Sequence, residues 1–145
     1  MEPSVTLFGP LDTLVGPYIE WVILVLAVVN IGTRAIAHRK HVSQAADGAD
    51  AVSRFIPHEA ANVALAAAAF YYTTLHPHGG IVMSTLVLGA FVSDFFEFEA
   101  RKVEARRGIS LERPKAGIAA SGLVFLYAAY QTLFFVIEPV WSAIV

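Results

Sequence analysis

The sequence predicts an all-α membrane protein with four transmembrane helices in an antiparallel bundle and both termini outside. Of its 145 residues, 57% are hydrophobic and only 15% are charged, whereas about a quarter of the residues of a soluble domain are charged. Four apolar segments approach the roughly 20 residues that a helix needs to cross the hydrocarbon core. All 10 lysines and arginines lie in two stretches, 34–54 and 101–115. We therefore read the chain, 1–145, as a single membrane domain.

The first two spans are expected over residues 17–37 and 58–75. The first begins at Gly16-Pro17, which puts a proline at the first helical position. The second follows Pro57 and is short and rich in alanine. The polar connection between these spans is expected to be partly helical.

The last two spans are expected over residues 81–100 and 114–137. The segment HPHGG precedes the third span and predicts a tight turn between antiparallel helices. The third helix is expected to continue to Arg107 and to break at Gly108. The fourth is expected to stop before Pro139, because a proline cannot donate a helix hydrogen bond.

The distribution of positive charge predicts the orientation. Basic residues concentrate in cytoplasmic connections, so both long connections are expected in the cytoplasm and the chain in the cell membrane as a multi-pass protein, surrounded by lipid. The N-terminal tail has no basic region, so no cleavable signal peptide is expected. The basic residues expected in the cytoplasm are Arg39, Lys40, Arg101, Lys102, Arg106 and Arg107.

Polar residues lie at matching depths on three of the predicted spans. Asn30, Asn62 and Asp94 are each thirteen residues from the outer end of their span, or roughly 20 Å. A charged group inside a bilayer costs about 2.5 kcal/mol or more and normally faces the bundle interior. We therefore expect an ion pair between Arg34 and either Asp94 or Glu97. The predicted inner-leaflet polar cluster comprises Asn30, Arg34, Glu59, Asn62, Asp94 and Glu97.

Two interpretations of this cluster remain open. It could be a structural lock, since polar groups often hold membrane helices together. It could instead be a proton or cation site, because the carboxylates outnumber Arg34 and an unpaired buried carboxylate tends to hold a proton.

Other chemistry finds little support in the sequence. The chain has no cysteine, which excludes disulfides, thiolate metal sites and cysteine nucleophiles. The segment from His58 to Asn62 reads HEAAN and lacks the second histidine of a zinc-protease helix. No phosphate-binding loop or basic nucleic-acid patch is present. We expect no catalytic residue, cofactor, metal or nucleic-acid partner, and hence no enzyme.

Small residues four apart on three helices predict close helix packing. We expect these ridges to pack inside the bundle, with a dimer face as the alternative. They are Ala60, Ala64 and Ala68 on the second span, Gly89 and Ser93 on the third, and Gly117 and Ser121 on the fourth.

The segments GPYIEWVILVLAVVN, AHRKHV and VSDFFEFEARKVEARR resemble a family of uncharacterised small membrane proteins from haloarchaea. The resemblance covers most of the chain. It implies an archaeal cell membrane and a four-span fold, and it implies no substrate and no catalytic residue.

Two functions follow as hypotheses. The first is a non-enzymatic accessory or scaffold subunit of a larger membrane complex, of which a respiratory complex is one example; its partners would be other membrane subunits or further copies of the chain. The alternative is a small proton or cation conductor or carrier. In that case Asp94 would be the gating acid, Glu97 the relay and Arg34 the counter-charge.

Overall fold

The computed structural model describes residues 7–145, which form helices joined by short turns and irregular segments, without a strand. The all-α prediction is therefore confirmed for the described residues. The expectation that the N-terminal tail is no signal peptide concerns a segment whose residues 1–6 lie outside the described range. Short 3-10 turns precede α2 and α3, at Gly16–Tyr18 and Ala49–Ala51. The helices are α1 (Pro10–Leu14), α2 (Ile19–Ala45), α3 (Ile56–Leu75), α4 (Pro77–Arg106) and α5 (Lys115–Ile144).

The four long helices form a closed bundle in which α2 and α4 each pack against both α3 and α5. Side chains from all four helices build its apolar core. The basic end of the bundle carries the α2–α3 and α4–α5 connections, and the turn end carries the α3–α4 connection. Core residues include Ile23, Ala27, Leu65, Ala69, Met83, Val87, Val124 and Ala128.

Three helices are long and apolar enough to cross a membrane. They are Gly16–Ala45, Pro77–Arg106 and Lys115–Ile144, each of 30 residues. Helix α3 is not among them, because the polar residues His58, Glu59 and Asn62 in its first two turns lower its mean hydropathy. Three candidate spans are thus shown, and the fourth stays a prediction.

The helices extend beyond the predicted spans. Helix α4 ends at Arg106 and the chain turns at Gly108, which has a left-handed φ of 67°. The expectation that the last helix stops before Pro139 is wrong, because α5 contains Pro139 and continues to Ile144. A proline removes one backbone hydrogen bond, a loss that apolar membrane helices tolerate.

The connection between α3 and α4 is shorter than the sequence suggests. Only His76 separates the two helices, and Gly79 and Gly80 belong to the first turn of α4. A Cβ atom on Gly80 would lie 2.2 Å from the Cα atom of Thr73. Gly80 therefore allows the two backbones to approach, and the expectation of a five-residue turn is wrong.

The small-residue ridges point in different directions. Gly117 and Ser121 are buried, as expected, but Ala60, Ala64 and Gly89 are exposed. Internal packing is therefore wrong for Ala60, Ala64 and Gly89, whereas Ala68 is partly buried against the core. The polar residues His58 and Asn62 decide the orientation of α3, because burying them places the neighbouring alanine face outside. The buried face of α3 consists of His58, Ala61, Asn62, Leu65, Ala69 and Tyr72.

Candidate functional site: a buried ion-pair network

Asp94 is the centre of a polar network near the basic end of the bundle. Arg34 donates two hydrogen bonds to it, from Nε to Oδ1 at 3.0 Å and from Nη2 to Oδ2 at 2.7 Å. His58 Nε2 donates to Oδ2 at 2.9 Å, and Asn62 Nδ2 donates to the same oxygen at 3.0 Å. The carboxylate thus joins α2, α3 and α4, with the bidentate geometry that makes arginine–carboxylate pairs strong.

A second layer of hydrogen bonds orients these donors. Asn30 Nδ2 donates to Oδ1 of Asn62 at 2.6 Å, which turns the amide nitrogen of Asn62 toward Asp94. The hydroxyl of Thr33 lies 2.8 Å from Nδ1 of His58, which leaves Nε2 for Asp94. Only 1% of Asn30 and 3% of Arg34 is exposed. The network therefore lies inside the bundle and away from its surface.

Gly117 brings the fourth helix to the network. Its backbone N–H donates to Oε1 of Glu97 at 2.6 Å. A Cβ atom at this position would lie 2.8 Å from Oδ1 of Asp94 and 2.9 Å from Nε of Arg34. The missing side chain therefore lets α5 cover the ion pair directly.

Arg101 extends the network along α4. Its Nη2 lies 3.8 Å from Oε2 of Glu97, and its Nη1 lies 2.9 Å from Nδ1 of His41. Because arginine only donates, His41 accepts at Nδ1, and its Nε2–H donates to the carbonyl of Ser53 at 2.9 Å. Arg101 is only 7% exposed, so its guanidinium lies inside the bundle, and its expected location at the cytoplasmic end stays a prediction.

The remaining acids of this region lie at the edge of the network. Arg54 lies 3.4 Å from Glu59 and 3.8 Å from Glu99, and Lys102 lies 3.6 Å from Glu99. The guanidinium of Arg54 also lies 4.4 Å from the ring centre of Phe98. The segment SDFFEFEARK therefore divides by face, with Asp94, Glu97 and Arg101 inside and Phe95 and Phe96 exposed.

The structure brings most of the predicted cluster together. Hydrogen bonds connect Asn30, Asn62, Asp94 and Arg34. Glu97 lies beside them and contacts Gly117 and Arg101, but Glu59 pairs with Arg54. Four residues of the network were not included in the predicted cluster. Helical spacing could have indicated two of them, since His58 lies one turn from Asn62 and Arg101 lies two turns from Asp94. These additional residues are Thr33, His41, His58 and Arg101.

The interior has little room for a ligand. A cavity of about 10 Å³ lies between Arg34, His58 and Asp94, which is the space of about one water molecule. Toward the turn end, the packed apolar core follows. In the described part of the chain, no group of three His, Asp or Glu residues could hold a metal ion.

The turn end has a smaller polar cluster. The hydroxyl of Tyr72, a residue that is 1% exposed, lies 3.2 Å from the side-chain oxygens of both Glu20 and Gln131. Thr132 donates to the backbone carbonyl of Glu20 at 3.1 Å. These contacts tie α2, α3 and α5 together, and the described residues form no buried ion pair at this end.

Fold and site together define a small helical bundle that has membrane-length helices and is joined near one end by buried charges. Residues 2–145 match the model of a family described as a domain of unknown function, DUF7313. The chain belongs to this family. No curated protein and no solved structure matches it.

Proposed function

We propose that the protein is a multi-pass protein of the cell membrane with four spans and both termini outside, and that it serves as a non-enzymatic accessory or scaffold subunit of a larger membrane complex. The haloarchaeal resemblance supports an archaeal membrane. The observation that carries the accessory role is a long apolar part of α5 that the other described residues leave uncovered.

Helix α3 is suited to be the fourth span, although its hydropathy is lower. It has 20 residues, which corresponds to about 30 Å, the thickness of the hydrocarbon core. Its polar residues His58 and Asn62 are buried, whereas Val63 and Phe70 are exposed on its outer face. This arrangement directs the polar groups to the bundle interior and apolar groups to lipid.

Cysteine labelling tests the topology cleanly, because the chain has no cysteine of its own. Ser110→Cys places a thiol in the α4–α5 connection, and His78→Cys places one at the turn end; both positions are exposed. A membrane-impermeant maleimide on intact cells should label His78→Cys and should label Ser110→Cys only after lysis. The opposite pattern, or equal labelling of both, would overturn the proposed orientation.

The accessory role rests on what we call the α5 extension, residues 133–144. Beyond Thr132, α5 continues for twelve residues, or about 18 Å. Its only charged residue is Glu138, and its large apolar side chains lack cover from the described residues. Those that are exposed are Leu133, Phe135, Val136, Ile137, Val140, Trp141 and Ile144.

The position of this extension favours a protein partner. Gln131 and Thr132 lie level with Tyr72 and Glu20 near the turn end, so the extension projects past the α3–α4 connection. If that connection lies at the membrane boundary, the extension leaves the hydrocarbon core. Exposing apolar surface to water costs about 25 cal/mol per Å². An apolar helix surface of another membrane subunit would cover it.

Purification from native membranes in a mild detergent tests this role. The wild-type chain should carry partner subunits at constant stoichiometry, measured by quantitative mass spectrometry. The pair Val140→Ser and Trp141→Ser should remove them, whereas Leu88→Ser and Val92→Ser, on exposed positions of α4, should not. If the wild-type chain purifies as a monomer, the accessory role fails. If it purifies as a homo-oligomer that only the first pair dissociates, the partner is a second copy.

A proton or cation conductor is the second candidate, because His58 and Asp94, two titratable groups in direct contact, line the small cavity. The packed apolar core between this cavity and Tyr72 weighs against a continuous path. Proton flux into proteoliposomes tests the idea. Conduction through Asp94 predicts that Asp94→Asn lowers the flux at least tenfold, and an unchanged flux excludes it.

A further inference from the structure

A groove on the side of the bundle lies between α2 and α5 near the basic end, and of the residues in the ion-pair network it shares Arg34. Its volume is about 640 Å³, within the range of pockets that hold small molecules. Ile31 and Ile118 form apolar walls and are themselves exposed. The groove is therefore open to whatever surrounds the two helices.

Positive charge collects at one end of this groove. Its lining includes Arg39 and Arg113 together with Arg34, which is paired with Asp94, and none of the described residues that line it is acidic. Arg39 and Arg113 are exposed, and the ion pairs formed within residues 7–145 involve neither of them. Their charges are available to an anion from outside the chain.

Two buried donors or acceptors of the lining also lack partners within the described residues. These atoms are Nη1 of Arg34 and Nδ1 of His38. Asp94 occupies only the Nε and Nη2 positions of Arg34. The guanidinium therefore keeps hydrogen-bonding capacity after its ion pair has formed, although burial separates this atom from bulk solvent.

We propose that this groove binds an anionic phospholipid. The phosphate would lie against Arg39 and Arg113, and an acyl chain would follow Ile31 and Ile118 toward the middle of the bundle. The order of groups along the groove, apolar and then basic, matches the order of groups in such a lipid. Basic pockets between membrane helices bind acidic headgroups in this way. A free phosphate would use only the basic end. The proposal rests on the membrane placement proposed above, but not on a protein partner.

Native mass spectrometry of the purified chain in mild detergent tests the proposal. Phosphatidylglycerol and phosphatidylcholine with the same acyl chains are the probes. One basic residue near an anionic membrane surface contributes about 1 kcal/mol, or roughly fivefold in affinity. We therefore expect phosphatidylglycerol to bind more tightly than phosphatidylcholine. The pair Arg39→Gln and Arg113→Gln should weaken phosphatidylglycerol binding by on the order of 25-fold.

Two control variants make the result specific to the groove. Arg106→Gln with Arg107→Gln removes the same charge from exposed positions that do not line it, and should leave binding within about twofold. Gly122→Leu should fill the groove and reduce binding of both lipids at least tenfold. A Cβ atom at Gly122 meets nothing within 4 Å, so the variant should fold, which an unchanged melting temperature would verify.

Several results would overturn the proposal. Equal affinity for the two lipids would remove the role of charge. An equal loss in the Arg106 and Arg107 variant would show a general surface effect. Undiminished binding to Gly122→Leu would place the lipid elsewhere. Displacement of phosphatidylglycerol by millimolar inorganic phosphate would identify a phosphate site without a lipid groove. None of these outcomes depends on co-purified subunits, so the test is independent of the accessory role.

Discussion

The two ends of the bundle join the same helices by different chemistry. At the basic end, Asp94 connects three helices through charged and polar donors, and Gly117 lets α5 close over the pair. At the turn end, the neutral hydroxyls of Tyr72 and Thr132 and the close backbone contact at Gly80 connect the helices. Buried charged groups stabilise the basic end, whereas close packing and neutral hydrogen bonds stabilise the turn end.

This difference determines how strongly substitutions at each end lower the stability of the protein. Removing one member of a buried ion pair leaves the other charge without compensation, so the penalty exceeds the value of the lost contact. Removing a neutral hydroxyl costs about one hydrogen bond. We therefore expect the basic end to respond strongly to single substitutions and weakly to matched double ones, whereas the turn end should respond to added volume.

The largest effect should come from Asp94→Leu. It leaves Arg34, which is 3% exposed, as an unpaired buried charge, and should lower the free energy of unfolding by about 3–5 kcal/mol. Titration of the purified protein in mixed micelles with dodecyl sulfate measures it. The double variant Arg34→Met with Asp94→Leu should regain most of the loss. A single variant within about 1 kcal/mol of wild type would contradict a buried pair.

Gly80→Ala should have the next largest effect and should damage the turn end. Its new Cβ atom would lie 2.2 Å from the backbone of Thr73, so α3 and α4 must separate. We expect a loss near the upper limit of the roughly 1–3 kcal/mol typical of overpacking. The matched control is Gly89→Ala on the same helix, where a Cβ atom meets nothing within 4 Å. It should be neutral or more stable by up to about 1 kcal/mol, and equal losses would refute the steric explanation.

Gly117→Ala tests whether close packing of α5 against the ion pair contributes to stability at the basic end. The added atom would lie 2.8 Å from Asp94 and 2.9 Å from Arg34, but side chains yield more easily than a backbone. A loss of about 1–2 kcal/mol is expected in the same titration. Gly122→Ala on the same helix should not destabilise the protein. If Gly117→Ala were also neutral, α5 would not close over the ion pair.

Much of this arrangement could be predicted from helical geometry. Counting residues from the span ends placed Asn30, Asn62 and Asp94 at one depth, and the structure joins them in one chain of hydrogen bonds. Depth along the helix could not predict which charged side chains lie inside the bundle and which lie on its surface. Arg101 was expected at the cytoplasmic end because of the distribution of positive charge, and the structure adds that its side chain lies inside the bundle, two helical turns from Asp94, where His41 accepts its hydrogen bond.

Contacts between helices were less predictable than the helices themselves. The sequence shows small residues at Ala60, Gly80, Gly89 and Gly117 alike. Only the orientation of each helix decides which of them meets a neighbour, and that orientation depends on side chains from the other three helices. The α5 extension was missed for a local reason, since Pro139 predicts a helix end but does not enforce one.

The smallest effect should come from Tyr72→Phe, which tests whether polar contacts matter at the turn end. The hydroxyl lies 3.2 Å from Glu20 and Gln131, and its one proton serves both oxygens. Its loss should cost about 1 kcal/mol, because Glu20 and Gln131 are partly exposed and can recover other donors. Tyr130→Phe on an exposed position of α5 should change nothing. A loss of about 3 kcal/mol or more for Tyr72→Phe would mean that the turn end, like the basic end, contains a polar group that cannot be removed alone.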